Sequence, residues 1–266
     1  MKHSVFEDND FKELLAFLKR PWKGYRRVRK GPMKRIRRHM RSLGISDASS
    51  YISCLSNCAV ERKKCEQLLQ ITISRFFRDR ELWQHLHDHI LPELLTECEG
   101  KTSIWSAGCG CGEEPYSLSI LLHRLASDAG AKILATDISQ KNLLRARQAQ
   151  YSYSSLKEVP PAILDTYFIK VANGDEYEIA DNCRKNIVWQ QRNLLTDIPA
   201  ERFDMVLLRN SLLTYHQGQI VQDVLSGIVT RLKQGGYLVT GSHESLPTGF
   251  DHLQQSTYFS FLYKRC

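Results

Sequence analysis

Residues 104–117 read IWSAGCGCGEEPYS: an apolar run, three glycines within five positions, then two carboxylates and a helix-compatible stretch. This order predicts a strand that ends in a turn where backbone must approach something closely, followed by a helix whose first N–H groups are free. Outward from the turn the same grammar repeats. KILATD, NIVWQQ, FDMVLL, GGYLVTG and TYFSFLY read as strands, and PYSLSILLHRLA, QKNLLRARQA and IVQDVLSGIVTRL as helices between them. Strand and helix by turns predict an α/β layered fold with a mostly parallel sheet.

A dinucleotide enzyme would receive a pyrophosphate at such a turn. Here Glu113 and Glu114 occupy the first helical turn, where a phosphate would meet two negative charges. A ligand bearing an ammonium, a sulfonium and hydroxyls tolerates carboxylates at that place, and S-adenosylmethionine is such a molecule. Asp137 ends KILATD, 25 residues after Gly112, where a carboxylate at the tip of a second strand accepts from ribose hydroxyls. An acid at this offset also suits a nicotinamide enzyme, and it also suits a plain helix cap for ISQKNLLRA. The glycine spacing alone is shared by several nucleotide folds.

The chain's 266 residues, 42% hydrophobic, suffice for a sizeable core. No apolar run reaches about 18 residues, and the start MKHSVFEDNDFKELL is acidic and polar, so a cytoplasmic protein that is not membrane-inserted is expected. Eight cysteines without a CxxC pair predict reduced thiols, not a disulfide scaffold or zinc knuckle. Between Lys19 and Arg41 stand twelve Lys or Arg and no acid, more than the chain's entire net charge of +8. This block is either a solvated helical face or a surface for an anionic partner: nucleic acid, an acidic membrane or an acidic protein helix. Met33, Ile36, Met40 and Leu43 give it an amphipathic helix from about Pro32, with a further helix capped at Ser46 or Asp47. The organisation predicted is a basic helical domain over 1–70, a linker and entry helix over 71–100, and an α/β domain over 101–266 with a short hairpin near 167–190, around Asn173 and Gly174.

SAGCGCGEEPYS, ILATDIS, ITISRFFRDRELW, RNLL, FDMVLLRNSLL and LKQGGYLVTGSHESL, in this order along the chain, resemble the CheR-type chemotaxis receptor methyltransferases from about Tyr25 to Leu246. The resemblance implies a small all-helical domain followed by a Rossmann-like class I S-adenosylmethionine-dependent methyltransferase domain. It implies transfer of a methyl group to glutamate side chains of chemoreceptors, leaving a methyl ester and S-adenosylhomocysteine, with no metal.

Position by position, the resemblance implies cofactor contacts by Thr72, Ser74 and Arg78 in TISRFFR, by Gly108, Gly110, Gly112 and Glu113 in the turn, and by Asp137 with Ile138 at the ribose. Asn193 and Leu194 fall beside the adenine, and Leu208, Arg209 and Asn210 under the methionine moiety. Arg78 is also the candidate to hold the substrate carboxylate, and Phe76 and Phe77 read as core anchors. Arg35, Arg37, Arg38 and Arg41 are the implied contacts to an acidic receptor helix.

Relatives commonly read CRNVLIYF, with a tyrosine four residues after the asparagine near the transferred methyl. Here LRNSLLTYH puts Thr214 at that place and Tyr215 one residue later, so both are candidate catalytic side chains; in extended chain the shift would turn Tyr215 to the other face. The hairpin is shorter than in tethering relatives, so no tethering to a receptor tail is expected, and a monomer is.

Other readings stay open: a methyltransferase acting on RNA or a small molecule, or a sensor that binds the cofactor without turnover. Few aromatics interleave the basic arm, which disfavours nucleic acid. His85 and His89, four apart on one helix face, suit a metal or simple packing. Cys109 and Cys111 read as small side chains standing in for alanine or serine.

Overall fold

The computed structural model describes residues 6–72, 74–98, 101–125, 130–172 and 174–266. The chain divides into two compact units. One holds the residues up to Ile71 together with Thr214–Gly218, and the other holds Thr72–Leu213 and Gln219–Cys266.

The smaller unit is helical, with helices Asp8–Phe17, Trp22–Tyr25, Lys30–Ser42, Ala48–Asn57 and Ala59–Leu68. Asp47 caps the fourth by accepting from the Ser50 N–H at 2.9 Å, as its sequence position suggests. Phe11, Leu14, Ile36, Tyr51 and Leu55 are buried together. The basic helix Lys30–Ser42 turns Met33, Ile36 and Met40 inward on one face. Its buried His39 lies between Tyr51 Oη and Glu61 Oε2, 2.7 Å from each. Gly24 leaves room for the returning segment, since a Cβ there would stand 2.1 Å from the Thr214 carbonyl oxygen.

Among the described residues the larger unit has ten strands: β1 Ser103–Ala107, β2 Lys132–Asp137, β3 Gln150–Ser152, β4 Phe168–Lys170, β5 Glu176–Ile179, β6 Ile187–Gln191, β7 Phe203–Leu208, β8 Leu232–Thr240, β9 Leu253–Gln255 and β10 Leu262–Arg265. Seven form a sheet in the order β6-β2-β1-β7-β8-β10-β9. β1 runs parallel to β2 and to β7, and β10 is antiparallel to both its neighbours, β8 and β9. Alternation along β1 sends Ile104 to the core on one face and Trp105 to the core on the other. From β1 the chain builds outward through β2 to β6 and then restarts on β1's other side with β7 and β8. The order reverses between β1 and β7, and ligands of open α/β sheets bind outside the carboxyl ends of the strands at such a point.

Three local expectations need correction. The hairpin near 167–190 is part of a three-stranded antiparallel sheet, β3-β5-β4, because Gln150–Ser152 pairs with β5 from the far side; Asn173 lies outside the described residues. In TYFSFLY only the end is strand, since Phe259 and Phe261 pack on the core from the preceding loop and β10 starts at Leu262. Leu212–Tyr215 is a helical turn, not extended chain, so a one-residue displacement rotates a side chain by about 100° and does not reverse its face.

Candidate cofactor and active site

The glycine turn bridges β1 and the helix Glu113–Leu125. Gly108 and Cys109 both donate from their N–H groups to the Thr136 carbonyl, at 2.8 and 2.9 Å, which ties the turn to the end of β2. Gly112 (φ +97°) is walled in: a Cβ would lie 2.8 Å from Tyr151 Oη and 2.9 Å from Ala146 Cβ. Gly110 (φ +59°) is the opposite case, with nothing within 4 Å of the place a Cβ would occupy. Burial pushes the Cys109 and Cys111 thiols up, so both stay protonated and unreactive at neutral pH.

Asp137 organises the next strand tip. It accepts from the Gly110 N–H at 3.0 Å, the Ser139 N–H at 2.8 Å and the Asn142 side chain at 3.1 Å. Burial raises its pKa above the ordinary value, and these hydrogen bonds pull the other way. Beside it Ile138 is 47% exposed, an apolar surface at the strand's end that suits a flat ring. Asn193, just beyond β6, accepts from the Leu195 N–H at 3.1 Å, and Leu194 packs partly against the core.

Glu113 is buried at 3% exposure, and its Oε2 has no hydrogen-bond partner among the described residues. Burial raises its pKa. A buried carboxylate oxygen without a donor is costly, and a ligand ammonium or hydroxyl relieves it. Together with the open space at Gly110 and the carboxylate of Asp137, this donor-seeking oxygen fits S-adenosylmethionine, which is cationic and carries hydroxyls.

Arg78 sits between two residues in left-handed backbone, Phe77 (φ +52°) and Asp79 (φ +66°). Asp tolerates that region, but for Phe it costs about 1–3 kcal/mol. Phe76 and Phe77 are buried, and the Phe77 N–H donates to Ser117 Oγ at 3.0 Å. The Arg78 carbonyl accepts from Trp83 Nε1 at 2.7 Å and from Arg209 Nη2 at 3.1 Å. Its guanidinium has no partner among the described residues.

Arg209, the residue after β7, is nearly enclosed. It pairs with Asp79 Oδ2 at 2.6 Å and Glu114 Oε2 at 3.1 Å, while Ser106 Oγ donates to the other Glu114 oxygen at 2.7 Å. Sequence reasoning did not assign Glu114 or Asp79. Each stands beside an assigned neighbour, in GEEP and FFRD, but only their shared cation distinguishes them.

Leu208 is fully buried with its side chain in the core, so only its backbone can face a ligand. Asn210 (φ +51°) donates its N–H to Glu244 Oε2 at 3.0 Å. Thr72 and Ser74 enter the larger unit without a hydrogen bond among the described residues.

Thr214 and Tyr215 belong to the helical unit, where the Tyr215 ring lies 5.2 Å from that of Tyr25 and its carbonyl accepts from Arg20 at 3.1 Å. Arg35 is committed to the carbonyls of Leu68 and Gln70, and Arg37 to that of Phe6. Arg38 and Arg41 are exposed. The His85 and His89 rings lie 4.9 Å apart beside Tyr258 and Phe259; no group of three or more potential metal ligands occurs among the described residues.

A parallel sheet with a glycine turn at its switch point, an acid at the tip of the second strand and carboxylates where a phosphate would be repelled defines a Rossmann-like methyltransferase of the S-adenosylmethionine-dependent kind. Residues 72–259 match the family model described as CheR methyltransferase, SAM binding domain. The chain is 34% identical over 185 residues to a chemotaxis protein methyltransferase of Listeria monocytogenes, covering 70% of each chain. It is 32% identical over 238 residues to a probable chemotaxis protein methyltransferase of Rhizobium etli, covering 84% of this chain and 88% of that one. The solved N-methyltransferase NodS of Bradyrhizobium japonicum aligns over 59% of this chain and 60% of that one, at 16% identity and a TM-score of 0.32, too distant to carry a residue role across. The chain belongs to the CheR methyltransferase family.

Proposed function

We propose that this protein methylates glutamate side chains on the cytoplasmic helices of chemoreceptors, forming methyl esters. The observation that carries the reading is Arg78, an arginine presented on a strained turn beside the switch point, its guanidinium available to a carboxylate. The curated relatives named as chemotaxis methyltransferases support the receptor as substrate.

The chemistry asks little of the side chains. A glutamate with an ordinary pKa of about 4.3 is ionised near pH 7 and needs no general base. Bound S-adenosylmethionine supplies a methyl group on a cationic sulfur, and its transfer to the carboxylate forms a C–O bond, breaks a C–S bond and leaves S-adenosylhomocysteine. Asp137 would hold the ribose hydroxyls, Ile138, Asn193 and Leu194 would bracket the adenine, and Glu113 would meet a donor of the ligand. Thr72 and Ser74 offer hydroxyls from the linker side, and Arg78 aligns the incoming carboxylate. Anion and sulfonium neutralise one another on the way to product, so exclusion of water favours the step. No metal enters this account.

Among the exposed arginines of the basic helix, Arg38 and Arg41 are suited to an acidic receptor helix. Thr214 and Tyr215 are proposed as counterparts of the relatives' tyrosine. The reading places the protein in the cytoplasm as a monomer, without tethering to a receptor tail; no helix among the described residues is long and apolar enough to cross a membrane.

Incubation with tritiated methyl donor and chemoreceptor cytoplasmic fragments, followed by mild alkali, tests the reaction. Volatile labelled methanol is expected. Alkali-stable label would mark a different acceptor chemistry, and absence of label despite cofactor binding would mark a sensor.

A further inference from the structure

Three features around Arg78 have no role in the chemistry above: the left-handed backbone on both sides of it, the enclosed guanidinium of Arg209, and the two carboxylates that bracket that guanidinium. Arg209 binds the Asp79 carboxylate and the Arg78 carbonyl with the same nitrogen, at 2.6 and 3.1 Å, and Glu114 with the other, at 3.1 Å. Its carbon stands 5.7 Å from the centre of the Trp83 ring, and Trp83 in turn donates to the Arg78 carbonyl. Ser242 Oγ donates to the second Asp79 oxygen at 3.3 Å. The Arg78 carbonyl and both Asp79 carboxylate oxygens are thus drawn into one charged network. Arg209 Nε is left buried and without a partner among the described residues. A solitary surface loop would not maintain two left-handed non-glycine residues without such over-determination.

We propose that Asp79 and Arg209 are positioning residues for methyl transfer: their buried ion pair, shared with Glu114, clamps the Phe77–Asp79 turn so that the Arg78 guanidinium is presented to the acceptor carboxylate. The inference rests on the methyltransferase reading and adds to it a residue pair that acts through another side chain. A planar fork is required, because one guanidinium must reach two carboxylates and a carbonyl in fixed directions. Lysine, a point charge on a flexible stem, keeps the charge and loses the geometry.

The test is a double-mutant cycle on the full chain, with kcat/KM for receptor methylation and the dissociation constant for S-adenosylhomocysteine both measured. Asp79→Asn, which keeps an acceptor and tolerates left-handed backbone, and Arg209→Lys should each lower kcat/KM by about 10- to 100-fold, as misplacement of a reacting-site group does. In an Arg78→Ala background the same changes should cost less than about 2-fold, because the side chain they position is gone. Cofactor-product affinity should change less than about 3-fold in Asp79→Asn.

Losses that multiply undiminished in the Arg78→Ala background would overturn the proposal and leave a purely structural ion pair. Should Arg209→Lys fail to fold, Ser242→Ala, which removes only one donor to Asp79, is read in the same cycle with a smaller expected loss. A wild-type chain that binds S-adenosylhomocysteine but transfers no methyl to receptor would instead sink the functional reading.

Discussion

The Gly110 N–H donates to Asp137 Oδ2 at 3.0 Å, so the glycine turn after β1 and the acid at the end of β2 are one structural piece. Asp137→Ala removes both a ligand acceptor and the anchor of the turn. Loss of a buried, charge-assisted acceptor is worth about 1–3 kcal/mol, so S-adenosylmethionine affinity should fall about 10- to 100-fold by calorimetry. Unchanged affinity would dissociate Asp137 from the cofactor.

The two inner glycines separate stability from binding. Gly112→Ala, at φ +97° with a Cβ 2.8 Å from Tyr151 Oη, should destabilise the fold by several kcal/mol in chemical denaturation, on the order of strain plus overpacking. Gly110→Ala meets no protein atom within 4 Å, so it should cost only about 1–2 kcal/mol of backbone strain and yet depress cofactor binding. Similar effects of both on stability, with binding intact at 110, would argue that the ligand lies elsewhere.

Arg38→Glu with Arg41→Glu should raise the KM for receptor fragments several-fold, more at low salt than at high, and leave cofactor affinity alone. Arg37→Glu is a different experiment. Arg37 holds the Phe6 carbonyl at 2.9 Å, so its replacement should lower the melting temperature first. Equal loss of cofactor and receptor binding in the Arg38, Arg41 variant would refute a dedicated receptor surface.

His216 gives the helical unit an acid-sensitive point. Burial, then the Arg20 guanidinium 3.0 Å from its Nδ1, holds its pKa down to about 3 from an ordinary 6.5. Between those values the unfolded chain binds a proton that the folded one refuses. Stability is therefore fully present above about pH 6.5 and is lost as pH falls, by up to about 1.4 kcal/mol per unit across that window. His216→Asn should flatten the melting temperature between pH 6.5 and pH 4; an unaltered slope would assign the acid lability to other groups.

Asp137 and Glu113 titrate in the other sense. Burial raises both above their ordinary values, so their contribution to the stability of the cofactor-free protein is present below the unfolded pKa and is lost as pH rises through the raised one. A cationic ligand needs them ionised. The rise in melting temperature on adding S-adenosylmethionine should accordingly be larger at about pH 7 than at about pH 5, and a pH-independent shift would remove both carboxylates from the ligand's surroundings.

The sheet and its turn were readable from the chain because their signals are local. IWSA alternates between two cores, three glycines mark the turn, and Asp137 falls at a strand tip that its own apolar run announces. Pairings across long separations leave no such mark. Asp79 and Arg209 meet over 130 positions, and nothing in FFRD or LLRN announces that one residue's carboxylate will clamp the other's guanidinium. Arg35 and Arg38 look equivalent in a basic run, yet helical rotation ties the first to the carbonyls of Leu68 and Gln70 and leaves the second in solvent. The layered α/β fold, the glycine turn and the acid after it follow from local chain signals, since periodicity and backbone sterics act within a few residues. Long-range packing settles that Gln150–Ser152 joins the small sheet, that Thr214–Gly218 packs with the N-terminal helices, and which charges pair, because those outcomes depend on which distant surfaces bury each other.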